Sequence, residues 1–138
     1  MIESSYLILK HFGLEVAAAC PPAVVAFFGS ELDHHAISGA VELSEMCADA
    51  LAAIATEDAR GHMRKAYRSA RYEKLKSILA SRLRSLRDPL ISDEYWEVIQ
   101  SRNLPPWKDH EVSSATAYLA LWGDERVAAS VAKWLKHC

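Results

Sequence analysis

The chain has 138 residues, of which 51% are hydrophobic and 25% are charged, and its formal net charge at pH 7 is −2. A chain of this length is expected to form one domain with a hydrophobic core of its own. It contains only five glycines and five prolines, which argues against a turn-rich β-sandwich and against disorder. The glycines are isolated, so the sequence lacks both a glycine-rich phosphate loop and the nucleophile turn of an α/β-hydrolase.

The cysteines and the longest apolar stretch bear on cellular location. The three cysteines are far apart and form no C-x-x-C motif, which is typical of a protein in a reducing compartment. The longest uncharged stretch, 16–30, is interrupted by Pro21 and Pro22 and is too short to cross a bilayer. Glu15, next to this stretch, argues against a cleaved signal peptide. We therefore expect a cytoplasmic protein without a membrane span.

Apolar residues recur with a helical period through almost the whole chain, and no stretch alternates as a strand does. Gly29 is expected to end one helix, and Ser30 and Thr56 are expected to cap the next two. The sequence Asp88-Pro89 ends the second of these because the residue before a proline disfavours helical backbone. Aspartates 109 and 124, with Ser92, are expected to cap shorter helices. The predicted helices, in chain order, are about 3–12, 14–20, 22–28, 31–58, 59–87, 93–103, 110–122 and 125–135.

The two longest predicted helices, 31–58 and 59–87, lie next to each other in the chain. We expect them to form an antiparallel helical hairpin against which the short C-terminal helices pack. The sequence therefore predicts an all-α fold, a compact helical bundle of about six to eight helices in a single domain, 1–138.

Charge is distributed unevenly along the chain. Residues 1–59 contain nine acids and one base, whereas residues 60–87 contain ten bases and one acid. One interpretation is internal: the basic helix pairs with the acidic side of the helix before it, where exposed pairs would contribute about 0–1 kcal/mol each. The other is a binding surface, because four arginines recur at spacings of 4, 4 and 3 and guanidinium groups match carboxylate and phosphate geometry. These arginines are Arg60, Arg64, Arg68 and Arg71.

A nucleic-acid partner is the alternative to a protein partner for this basic helix. Tyr67 and Tyr72 lie among the arginines and have rings that can stack on bases. Against this alternative, the sequence pI is about 6.3, and no zinc finger, RNA-binding motif or clear helix-turn-helix is present.

One cluster has residue types that bind metals. Glu31 and His34 have the E-x-x-H spacing of di-iron carboxylate bundles, and His35 follows directly. A di-iron centre needs two such motifs and two further glutamates, and the sequence has one motif. On a continuous helix, Glu31, His35, Glu42 and Asp49 would share one side. The candidates for a metal site are Glu31, His34 and His35, and the expectation is that they are instead solvated side chains at a helix start.

All four tryptophans lie in the last third of the chain. Most are expected to build an aromatic core where the short helices meet. Trp107 differs because it follows Pro105-Pro106 in a loop, where the prolines restrict the backbone. An exposed tryptophan held in this way is typical of an interface anchor.

Together these features favour a small cytoplasmic protein–protein interaction module, of the adaptor or inhibitor type, that acts through charged helix faces. The predicted partner-binding residues are Arg60, Arg64, Arg68, Arg71 and Trp107. The partner is another protein or a second copy of the chain, with nucleic acid as the alternative and a metal-dependent helical enzyme as a weaker one. We expect no cofactor and no membrane association, identify no catalytic residue, and recognise no protein family in the sequence.

Overall fold

The computed structural model describes residues 22–136. This part of the chain is all-α, without strands, as predicted. The helices predicted at 3–12 and 14–20 lie outside the described residues. The described helices are α1 (Pro22–Ser38), α2 (Val41–Ile54), α3 (Glu57–Ser69), α4 (Glu73–Ser85), α5 (Pro89–Arg102), α6 (His110–Leu121) and α7 (Glu125–Leu135), with a 3-10 turn at Pro106–Lys108.

Contacts among the described residues divide them into two units, a first that ends at Leu86 and a second that begins at Arg87. In the first unit, α1 packs against α2 and α3, and α4 packs against α2 and α3. In the second unit, α6 packs against both α5 and α7. The assignment of all 138 residues to a single domain remains a prediction.

The first described helix does not end at Gly29, contrary to prediction. α1 continues through Gly29 and Ser30 to Ser38. Gly29 is buried, and a Cβ built on it would overlap the imidazole ring of His62 in α3. The glycine is therefore a point of close approach between two helices. α1 ends instead at Gly39, whose φ of +79° is a left-handed conformation that favours glycine.

The predicted helix 31–58 is consequently two helices, the second half of α1 and then α2. Five apolar residues of α2 are buried, in line with the helical period of apolar residues in the sequence. α2 ends at Ala55, which is left-handed with a φ of 55°, and α3 begins directly afterwards. The Thr56 hydroxyl accepts a hydrogen bond from the Ala59 N–H at 3.2 Å, which confirms Thr56 as a helix cap. The buried apolar residues of α2 are Cys47, Ala48, Ala50, Leu51 and Ile54.

The predicted helix 59–87 is also interrupted, at 70–72, where Ala70 and Tyr72 are extended. The positions of the buried side chains explain the interruption. Ala66 is the last buried residue of α3 and Leu75 is the first of α4, nine residues later. Nine residues are about 2.5 helical turns, so one continuous helix would point these side chains in opposite directions. The break allows both buried faces to reach the same core, and the two-helix hairpin is replaced by four shorter helices.

In the second unit, aspartates cap the starts of the helices, and aromatic rings pack against the edge of the core. Asp88, rather than the predicted Ser92, caps α5 by accepting from the Leu90 N–H at 3.1 Å. Asp109 and Asp124 cap α6 and α7 as predicted, accepting from the N–H groups of Val112 and Arg126. The rings of Tyr95, Tyr118 and Trp122 lie 5.3–5.8 Å apart. The buried core consists of Ile99, Val112, Ala115, Leu119 and Val127.

These caps predict a loss of stability in acid. The hydrogen bond from the Val112 N–H, together with the charge of Arg102, lowers the pKa of Asp109. The hydrogen bond from the Arg126 side chain, together with the Arg126 N–H, lowers the pKa of Asp124. A carboxyl whose pKa is lower in the folded than in the unfolded state stabilises the fold above the unfolded value, about 3.9. This contribution is lost as pH falls through the folded-state pKa.

We therefore expect the thermal midpoint to fall below about pH 4. In the double variant D109N/D124N the fall should be shallower, because asparagine retains the cap but does not titrate. Circular dichroism melts between about pH 6 and pH 2.5 measure both curves. Equal slopes for wild type and variant would contradict this assignment.

Candidate interaction surface

The basic residues of 60–87 divide into an internal set and an outward set. Arg60, Arg64 and Arg82 form the internal set, because each has a hydrogen-bond partner within the first unit; the partner of Arg64 is Glu57 of its own helix, α3. The Nε of Arg60 donates to the Ala55 carbonyl at 3.3 Å, at the left-handed end of α2. The Arg64 Nη1 donates to the Glu57 Oε1 at 2.6 Å. Two of the four predicted binding arginines are thus engaged within the fold.

Arg82 is the centre of the ion pairing between α2 and α4. Its Nε donates to the Asp49 Oδ1, and its Nη2 lies 3.4 Å from the Glu45 Oε1. The Arg82 and Asp49 side chains are 30% and 28% exposed, so solvent only partly screens this pair. Between α1 and α3, Lys65 lies 3.4 Å from Asp33. For Lys65 and Arg82, the interpretation that the basic segment pairs with acidic side chains of the preceding helices is therefore correct.

The outward set lies at the junction between α3 and α4. Arg68 is in the last turn of α3, Arg71 is in the linker, and Lys74 is in the first turn of α4. All three are exposed, and no side chain of 22–136 forms a hydrogen bond or ion pair with theirs. Tyr72 lies among them with 43% of its surface exposed. We call Arg68, Arg71, Tyr72 and Lys74 the basic turn.

Tyr72 anchors the basic turn to the rest of the first unit. A Cβ built on Gly39 would lie 2.9 Å from the Tyr72 hydroxyl, so this phenol packs on the α1–α2 connection while part of its ring faces solvent. Next to it, the Lys76 ammonium lies 5.4 Å from the centre of the Tyr67 ring. The positive end of the α4 dipole adds to the charge of the basic turn, and the exposed carboxylate of Glu73 offsets part of it.

Trp107 lies on the 3-10 turn of the second unit and is 57% exposed. The turn is closed by the Lys108 N–H, which donates to the Pro105 carbonyl at 3.0 Å. Arg102 holds the residues that follow the turn, because it donates hydrogen bonds to Asp109 at 3.1 Å and to Glu111 at 2.7 Å. The loop therefore holds the indole at the surface, and the role of Trp107 as a partner anchor remains a prediction. Trp96 and Trp122, by contrast, pack against the core of this unit.

The residues predicted as weak metal ligands are only partly brought together. The His35 Nε2 lies 3.2 Å from the Glu31 Oε2, and the His34 and His35 rings are 5.2 Å apart at their centres. The break at Gly39 places Glu42 and Asp49 on a different helix from Glu31 and His35. The prediction that these four residues share one side of a continuous helix is therefore wrong. Within residues 22–136, no group of three or more histidine, cysteine or acidic side chains is arranged to hold a metal ion.

Cys47 lies near Glu31 and is fully buried. Its burial, and secondarily the negative charge of Glu31, raises the pKa of the Cys47 thiol to about 12. The thiol is neutral at physiological pH, and a neutral thiol is a poor nucleophile. Cys47 is therefore a core residue of α2.

Comparison with known proteins finds no matching family model, no similar curated protein and no similar solved structure. None of the described helices has both the length and the apolar character that crossing a membrane requires.

Proposed function

We propose that this protein is an interaction module that binds an acidic protein partner through the basic turn. One observation carries the proposal: Arg68, Arg71 and Lys74 are exposed without a described ion-pair partner, while Arg60, Arg64 and Arg82 of the same segment are engaged within the fold. Exposed guanidinium groups bind carboxylates through two parallel hydrogen bonds. Arginine and tyrosine are also the side chains most enriched at interface hot spots.

An acidic protein fits this surface better than a nucleic acid does. Nucleic-acid affinity comes largely from neutralising several phosphates along a groove or strand. The internal use of Arg60, Arg64 and Arg82 removes these guanidinium groups from such a path, so the basic segment as a whole does not offer one continuous row of free cations. The chain as a whole is acidic, with a pI of about 6.3, whereas nucleic-acid-binding domains usually exceed 9. A nucleic-acid partner is therefore the competing possibility, and the capture experiment must distinguish it from a protein partner.

The test uses charge reversal at one cation of the basic turn. The tagged full chain captures proteins from a lysate of its source, with and without nuclease, as wild type, Arg71→Glu and Lys108→Glu. Lys108 is a matched control because it is also an exposed cation between helices and has no described side-chain partner. We expect one dominant acidic protein with wild type and with Lys108→Glu. For the purified partner, Arg71→Glu should weaken the dissociation constant about tenfold.

Three results would overturn the proposal. Recovery of the same partner with unchanged affinity for Arg71→Glu would exclude the basic turn. An equal loss for Lys108→Glu would indicate an effect of total charge or binding at the neighbouring Trp107, and either one would exclude a specific role of the basic turn. Loss of all captured protein after nuclease treatment would favour the nucleic-acid alternative. Because Arg71 and Lys108 are both exposed, urea unfolding of the two variants should agree with wild type within about 0.5 kcal/mol.

A further inference from the structure

The last helix exposes an apolar face that the core of its own unit does not use. α7 contributes Val127 to the buried core, while Ala128 and Ala132 on another side are exposed. Leu135, at the end of α7, is 62% exposed. Ala128, Ala132 and Leu135 border a shallow open groove of about 620 Å³. An exposed leucine in line with two exposed alanines along one groove forms an apolar patch of the kind that marks interaction sites.

The exposed apolar face is flanked by opposite charges. Glu125 precedes Ala128 by three residues, and Lys136 follows Ala132 by four, so both lie on the side of the helix that carries the alanines. Both charged side chains are exposed, and neither has an ion pair or hydrogen bond with another side chain of 22–136. The face is thus acidic at one end, apolar in the middle and basic at the other end.

We propose that this face binds a second copy of the chain, with the two α7 helices antiparallel about a twofold axis. A twofold interface brings the same patch of both subunits together, so the patch must be complementary to itself. Pairing about a point between Ser130 and Val131 places Glu125 opposite Lys136 of the partner subunit, and the reverse contact forms at the other end. The alanines permit a close approach of the helix axes, and Leu135 of each copy, one at either end of the pair, becomes covered.

The charge pattern selects this arrangement over a parallel one. Parallel pairing would place the two Glu125 side chains together and the two Lys136 side chains together, which is repulsive at both ends. Antiparallel pairing makes both ends attractive and aligns the helix dipoles favourably. Because α7 has 11 residues, or about 16 Å of helix, the interface is small. We expect a weak dimer with a dissociation constant on the order of tens of micromolar.

The experiment is sedimentation equilibrium of the full-length chain across a concentration series that brackets this dissociation constant. Wild type should pass from monomer to dimer, and Leu135→Glu should remain monomeric. Leu104→Glu is the matched control, because Leu104 is also exposed, at 39%, but lies on the α5–α6 loop. It should dimerise as wild type does.

Charge exchange tests the antiparallel geometry itself. The single variants Glu125→Lys and Lys136→Glu should each weaken dimerisation about tenfold, and the double variant should restore it to within about threefold of wild type. Restoration cannot come from a more stable helix, because both changes are unfavourable to the α7 dipole.

A wild-type chain that stays monomeric throughout, a dimer that survives Leu135→Glu, or a double variant weaker than either single one would each overturn the proposal. Arg71→Glu should leave the dimer unchanged, so this result is independent of binding at the basic turn.

Discussion

Replacing Gly29 by alanine should destabilise the protein by about 2 kcal/mol, although alanine is the better helix former. At an ordinary position inside a helix, a glycine-to-alanine change stabilises by about 1 kcal/mol. Gly29 is inside α1, and its Cα faces the His62 ring so closely that an added methyl group would overlap the ring. Either α1 moves away from α3 or the imidazole leaves its position, and both lose packing.

A double-mutant cycle isolates this cause. In a His62→Ala background the obstacle is removed, so Gly29→Ala should become stabilising, by about 1 kcal/mol. Urea unfolding of the four proteins measures both steps. Stabilisation by Gly29→Ala in the wild-type background would show that α1 and α3 do not approach each other at this point. Gly61, where an added Cβ meets nothing within 4 Å, is a matched control for the same change.

The second large effect is expected at Arg82, where charge reversal should cost about 2 kcal/mol of stability. Arg82→Glu would replace the cation between Asp49 and Glu45 with a third carboxylate, in a place that is only about one-third exposed. Breaking a fully buried pair costs more, and solvent screening reduces the figure here. Arg71→Glu makes the same change in charge at the basic turn and should alter stability by less than about 0.5 kcal/mol.

The same urea titrations test this contrast. If Arg82→Glu and Arg71→Glu unfolded at the same denaturant concentration, the division into internal and outward arginines would be wrong. Raising the salt concentration should reduce the difference between them, because the charges at Arg82 are partly exposed and therefore partly screened.

Local signals in the sequence were sufficient for the fold class and for several helix starts. The caps at Thr56, Asp109 and Asp124 were predictable because a capping side chain accepts its hydrogen bond two or three residues later. The contact between Gly29 and His62 was not, because it joins residues 33 positions apart. A glycine in an apolar stretch is consistent with a helix end and with a close helix contact, and only its partner decides between them.

The break between α3 and α4 left only a weak signal in the sequence, namely the spacing of the buried apolar residues. No glycine or proline marks positions 70–72, yet the buried side changes phase between Ala66 and Leu75. Arg60, Arg64 and Arg68 do form one row along α3, but Arg71 lies beyond the end of that helix. Arg60 and Arg64 have partners because the Ala55 carbonyl lies just before α3 and Glu57 lies in its first turn.

Stability and partner binding, measured together on Arg71→Glu and Arg82→Glu, test most directly whether the basic segment has one set of cations for folding and another for recognition. At a temperature where both variants are folded, Arg71→Glu should lose about tenfold in affinity for the captured acidic partner, and Arg82→Glu should stay within about twofold of wild type. The opposite pattern, with Arg82→Glu losing the partner and Arg71→Glu retaining it, would contradict the division on which the proposed function depends.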